Sequence, residues 1–67
     1  MYKNLRELRL ANRIPVTEFL EKLGLSTKSA YYKKETGLVP ITLEEAKKIA
    51  DIFDMPIEEI FFNQKVS

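Results

Sequence analysis

Residues 26–37, STKSAYYKKETG, gather four Ser and Thr hydroxyls, two tyrosines and three lysines into one short stretch. Wound into a helix of ~3.6 residues per turn, the stretch aligns Lys28, Tyr32 and Thr36 at i, i+4 and i+8, with Ser29 and Lys33 beside them. Ala30, Tyr31 and Lys34 fall on the other side. The chemistry of such a strip is hydrogen bonding and charge. A lysine meets a phosphate or the acceptor edge of guanine, and Ser or Thr bonds either kind of base edge. A tyrosine offers its hydroxyl to a phosphate and its ring to a thymine methyl. The strip therefore suits the major groove of a nucleic-acid duplex; the alternative is a face that is merely solvated. Tyr31 is expected in the core. Lys34 is expected to lay its stem along the core and lift its charge into water.

Bond-making chemistry has little to work with. The 67 residues include no histidine and no cysteine, which removes the commonest general base, the commonest metal ligand and any thiolate or disulfide. A chain of this size buries only ~60% of the surface its unfolded form exposes, too little to shape a deep active-site pocket. The expectation is a protein that is not an enzyme, with no catalytic residue, metal, cofactor or small-molecule ligand. The start of the chain, MYKNLRELRLANR, is charged every few residues. It is neither a signal peptide nor a membrane span, so a cytoplasmic location is expected. The net charge of +1 conceals an asymmetry. Residues 1–37 carry eight basic and four acidic side chains (+4), and residues 38–67 carry three and six (−3). A basic half hints at a polyanionic partner.

The elements that must position the strip are helical. No period-2 run competes, and five helices account for the apolar spacing. The first spans roughly residues 2–12, with Leu5, Leu8 and Ala11, and Tyr2 or Met1, on one face; it breaks at Asn12-Arg13-Ile14-Pro15. The second starts near Pro15 and sets Val16, Phe19, Leu20 and Leu23 at i, i+3, i+4 and i+7. Gly24 ends it. Ser26 or Thr27 caps the third helix, which runs to about Thr36 and stops at Gly37. TLEE, residues 42–45, is a capping box that opens a fourth helix whose apolar face holds Leu43, Ala46, Ile49, Ala50 and Phe53. Pro56 suits the first position of a short fifth helix that buries Ile57, Ile60 and Phe61. The tail NQKVS is expected to fray. The outcome is one all-α domain over residues 1–67.

Two short helices joined by a glycine-containing turn, about residues 15–36, have the form of a helix-turn-helix. The wider pattern is more specific: NLRELR, then EFLEKLGLS, then ETG, then TLEEAKKIADIFDMPIEEIFF. It resembles the Cro/CI-type (XRE) helix-turn-helix family of phage and prophage transcriptional regulators over residues 4–62. The resemblance implies a five-helix, lambda-repressor-like DNA-binding domain with its third helix in the major groove. DNA-contacting positions of the family fall here on Thr27, Lys28, Ser29, Tyr32, Lys33 and Thr36. It also implies an ion pair between Arg9 of the first helix and Glu35 near the end of the third. Arg6, Arg13 and Lys22 are further candidates for phosphate contacts.

Three departures from the family pattern stand out. Helix two begins with Pro15-Val16 where the family carries a threonine cap and a DNA-contacting glutamine, so that contact is either missing or replaced by Thr17 or a helix N-terminal amide. Leu20 stands where a small alanine is usual, with Ala30 as the small partner across the crossing. The interval from Gly24 to Glu35 is one residue longer than usual, and the surplus is placed in the turn near Leu25–Thr27.

The last region, about residues 54–67, holds more apolar side chains than a short helix can bury against its own domain. Phe62 and Val66 are the surplus, and exposed aromatics of this kind mark an interaction surface unless a locally folded tail covers them; the resemblance implies that Ile57, Phe61, Phe62 and Val66 make a homodimer contact. The resemblance implies a two-fold dimer on an inverted-repeat operator in double-stranded DNA. Because the sequence ends directly after this region, a short, Cro-like regulator is expected. The alternative is a protein-interaction module on the same fold, antirepressor-like or antitoxin-like, without specific DNA reading.

Overall fold

The structure is a computed structural model that describes residues 3–62. Met1, Tyr2, the tail NQKVS and the expected dimer contact Val66 lie outside the described residues. The described chain forms α1 (Lys3–Ala11), α2 (Val16–Leu23), α3 (Lys28–Glu35) and α4 (Leu43–Phe53), then a π-helical turn over Glu58–Phe62. No strand occurs among the described residues.

α2 packs against α3 and α4, while α1 packs against α3 and the closing turn. The i, i+3, i+7 residues of α2, Val16, Phe19 and Leu23, are buried. Phe19 is fully buried, with Tyr31 of α3 at 5.0 Å between ring centroids and Phe53 of α4 at 5.8 Å. Offset, tilted pairs at this spacing suit the ring quadrupoles. One aromatic row thus joins three helices. Leu5, Ile49, Ala50 and Ile60 complete the core around it.

Three helices end in the same way. The chain turns left-handed at Arg13 (φ 55°), Gly24 (φ 72°) and Asp54 (φ 54°). The next residue then returns its amide to a carbonyl five residues back: Ile14 to Arg9, Leu25 to Leu20, Met55 to Ala50, at 3.1, 2.9 and 3.1 Å. This is the Schellman ending, in which the residue after the left-handed position makes an apolar contact. Ile14, Leu25 and Met55 each pack against the core. The break at Asn12–Pro15 is therefore a built cap that precedes the proline restriction on Ile14.

Several expectations are corrected. Ala11 is exposed, and Arg9 is buried in its place on α1. Ala11 lies six residues beyond Leu5, about 240° around the helix, whereas Arg9 lies only about 40° from it. Leu43 is 66% exposed. As the first residue of α4, with its side chain tilted toward the N-terminus, it lines a surface groove with Ile41, Ile57, Phe61 and Phe62. The fifth helix is π-helical over Glu58–Phe62, entered through a helical Ile57, with the Glu59 amide donating to the Pro56 carbonyl at 3.1 Å. The Asn4 side-chain amide donates to the carbonyls of Glu59 (2.7 Å) and Ile60 (3.2 Å), so α1 satisfies carbonyls at the end of the fold. Within this turn Ile60 is fully buried and Phe61 half-buried, and Ile57 just before it is half-buried.

Candidate nucleic-acid interface

α3 buries only Tyr31 and Glu35, so it has no apolar stripe to hold it in place. It is anchored by polar tethers. The first is a bidentate pair in which Arg9 Nε donates to Glu35 Oε2 at 2.8 Å and Nη2 donates to Oε1 at 3.2 Å. The Tyr31 hydroxyl donates to the same Oε2 at 2.7 Å. Arg9 is 8% exposed and Glu35 3%, and no buried side-chain N or O among the described residues lacks a partner. The expected ion pair of α1 and α3 is present. It is a three-residue network that includes Tyr31. The bond to Glu35 outweighs burial and holds Arg9 above its ordinary pKa. Burial first, and then the bond to Glu35, push the Tyr31 phenol well above its usual range.

The second tether corrects the reading of Lys34. Its ammonium does not reach water freely: Nζ donates to Glu45 Oε1 at 3.1 Å and to the Pro40 carbonyl at 3.2 Å. Glu45 also closes the capping box of α4, accepting from the Thr42 amide at 3.0 Å while the Thr42 hydroxyl accepts from the Glu45 amide at 3.1 Å. Burial raises the Glu45 carboxyl, but the Thr42 amide and the Lys34 charge together hold it below its ordinary value. A single carboxylate therefore joins the end of α3 to the start of α4.

With its inner side tethered, α3 turns its remaining residues outward. Thr27 caps it by accepting from the Ala30 amide at 3.1 Å, so Leu25 and Ser26 link the Gly24 cap of α2 to the Thr27 cap of α3. Thr27, Lys28, Ser29, Tyr32, Lys33 and Thr36 are all exposed, as is Thr17 in the first turn of α2. The two ion pairs of the described residues are Arg9–Glu35 and Lys34–Glu45. Neither uses Lys28 or Lys33. The members of the strip are not equivalent, however. The Thr36 hydroxyl donates back to the carbonyls of Tyr32 (2.9 Å) and Lys33 (3.3 Å), so its proton is committed to the helix end. Pro15 is the N-cap of α2 and supplies no side-chain hydrogen bond, as the sequence implied. Leu20 and Ala30 are both half-buried.

The helix-turn-helix family model matches residues 5–60, which takes in all four α-helices apart from the first two residues of α1. The chain belongs to the XRE-type helix-turn-helix family. That family binds DNA and is typically non-enzymatic. No curated protein and no solved structure matches the chain. No described helix is long and apolar enough to cross a membrane.

This XRE-type domain also displays features that sequence reasoning missed. Leu38 and Val39, in the connector after α3, are 79% and 37% exposed, and Leu10 on α1 is 54% exposed. Leu43 and Phe62 (71% exposed) share an apolar groove with Ile41, Ala46, Ile57 and Phe61. Of the expected dimer residues, then, Phe62 is outward, while Ile57 and Phe61 pack on the core and form the groove wall. Helical spacing around Ala46 had placed Leu43 inward; only its position as the first residue after the cap signals otherwise.

Proposed function

We propose that the chain is a sequence-specific double-stranded DNA-binding transcriptional regulator of prophage type, working in the cytoplasm as a homodimer with α3 in the major groove. One observation carries this reading: Lys28, Ser29, Tyr32 and Lys33 stand exposed on a helix fixed from behind, and no carboxylate among the described residues pairs with either lysine. Lys28 and Lys33 supply charge to phosphates or guanine edges, and Ser29 and Tyr32 supply base-edge contacts. Thr27, Thr36 and Thr17, with the amides at the start of α2, flank the strip for phosphate contacts. Arg6, Arg13 and Lys22, all exposed, extend the basic surface. The groove of Leu43, Ile57, Phe61 and Phe62 is the dimer face; Val66, which lies outside the described residues, is assigned to the same contact. Pairing there sets two recognition helices about 34 Å apart on an inverted repeat. The bound dimer acts sterically, blocking or guiding polymerase.

A second reading, a protein-interaction module on the same fold, is favoured by the missing polar cap and glutamine at the start of α2. Selection of bound duplexes from a randomised pool at near-physiological salt separates the two. The proposal expects an enriched inverted repeat with half-sites about one helical turn apart. Weak binding that salt abolishes, with no enriched sequence, would favour the interaction module.

A further inference from the structure

Tyr32 belongs to two environments. The residue is 42% exposed on the outward strip, yet the Arg9 guanidinium carbon lies 5.8 Å from its ring centroid. The same guanidinium lies 5.9 Å from the Tyr31 ring, and the two tyrosine rings meet edge-on at 5.8 Å. Arg9 is therefore close to two rings while Glu35 grips it in the plane of its fork. A cation within about 6 Å of a ring centroid is attracted to the ring, more strongly when shielded from water. The Tyr32 hydroxyl, by contrast, has no hydrogen-bond partner among the described residues.

We infer that Arg9, held by Glu35, is a positioning residue for recognition: it fixes the orientation of the Tyr32 ring from beneath, so that the hydroxyl of Tyr32 meets one base or phosphate of the site already aligned. This rests on the DNA-reading function proposed above and goes beyond it. The ion pair then has a second task besides joining α1 to α3. A side chain that is ordered before binding loses less freedom on binding, and discrimination at its contact sharpens. The other outward residues, Lys28, Ser29 and Lys33, have no such support, so the dependence on Arg9 is confined to the contact made by Tyr32.

The test runs the duplex selection on four proteins: the unmodified chain, Tyr32→Ala, the double variant Arg9→Met/Glu35→Gln, and Arg9→Lys. The double variant removes both charges together and leaves the Tyr31 hydroxyl an acceptor at position 35. Tyr32→Ala identifies which positions of the site depend on Tyr32. The double variant is expected to lose about two- to thirtyfold discrimination at those same positions, the range set by one cation–π contact. It should keep discrimination elsewhere and keep its affinity for nonspecific duplex. Arg9→Lys, whose ammonium cannot lie flat between two rings, is expected to lose discrimination at the same positions, and it carries the test if the double variant does not fold. Equal losses at every position would leave Arg9 a purely structural role and overturn the inference, as would unmodified discrimination at the Tyr32 positions. If the unmodified chain enriches no sequence, the DNA-reading function falls, and this inference falls with it.

Discussion

At the scale of single residues, a few side chains sit where their chemistry is costly, and each makes a test. Arg13 adopts φ 55° at the end of α1, a conformation that costs a non-glycine residue about 1–2 kcal/mol. Gly24 fills the equivalent place at the end of α2 at no such cost. Arg13→Gly is therefore expected to stabilise the domain by about 1 kcal/mol, seen as a higher urea midpoint with an unchanged slope. A lower midpoint would mean that the Arg13 side chain holds structure of its own. Glu35 presents the opposite case. Glu35→Gln leaves Arg9, 8% exposed, without its counter-charge, and breaking a buried pair in this way costs about 3 kcal/mol. Stabilities of small domains are only about 5–15 kcal/mol, so thermal unfolding by circular dichroism should move down sharply. A shift no larger than that of a surface substitution would show that the pair is dispensable. The Arg9–Glu35 pairing was legible in the sequence only through its likeness to a family. The inclusion of Tyr31 and Tyr32 was not legible, because ring placement over a guanidinium depends on how α1 crosses α3.

At the scale of elements, the sequence was most readable where one strong local rule acts alone. The stripe Val16, Phe19, Leu23, the αL residue Gly24 and the box Thr42–Glu45 all appear where their patterns place them. It was least readable where two elements compete for one side chain. Lys34 looked like a solvated lysine until Glu45 of α4 came within 3.1 Å of it. Asn4 carried no sequence signal for its bonds to Glu59 and Ile60, more than fifty residues away. Leu43 followed the helical period but stands before the first full turn of α4. The cap of α4 gives this scale its prediction. Thr42→Ala is expected to cost about 1 kcal/mol. Because the folded Glu45 carboxyl lies below its ordinary value, its contribution is present above the unfolded pKa of about 4.3 and is lost as pH falls through the lower folded value. Glu45→Gln should thus lower stability at neutral pH and flatten the acid side of the stability–pH curve. A curve parallel to that of the unmodified chain would contradict the role assigned to Glu45.

At the scale of the whole molecule, the domain separates its two surfaces. The tethers Arg9–Glu35 and Lys34–Glu45 lie behind α3 and keep its polar face outward, while the apolar groove of Leu43, Ile57, Phe61 and Phe62 lies between the start of α4 and the closing turn. If that groove is the dimer face, Phe62→Glu should weaken self-association at least tenfold by sedimentation. At 71% exposed in the monomer, the same substitution should change monomer stability by no more than about 0.5 kcal/mol. Unchanged association would move the interface elsewhere, with exposed Leu38 and Val39 the next surface to test. The central claim is that DNA is held by the outward face of α3. Its most direct test is the map of backbone amide shifts on titrating the labelled protein with a short duplex carrying the selected site. The largest shifts are expected on Thr27, Lys28, Ser29, Tyr32 and Lys33, with smaller ones at Val16 and Thr17, and Lys33→Ala is expected to lower the salt slope of binding by about one. Shifts gathered around Leu43, Ile57 and Phe62 with α3 unmoved would contradict that claim.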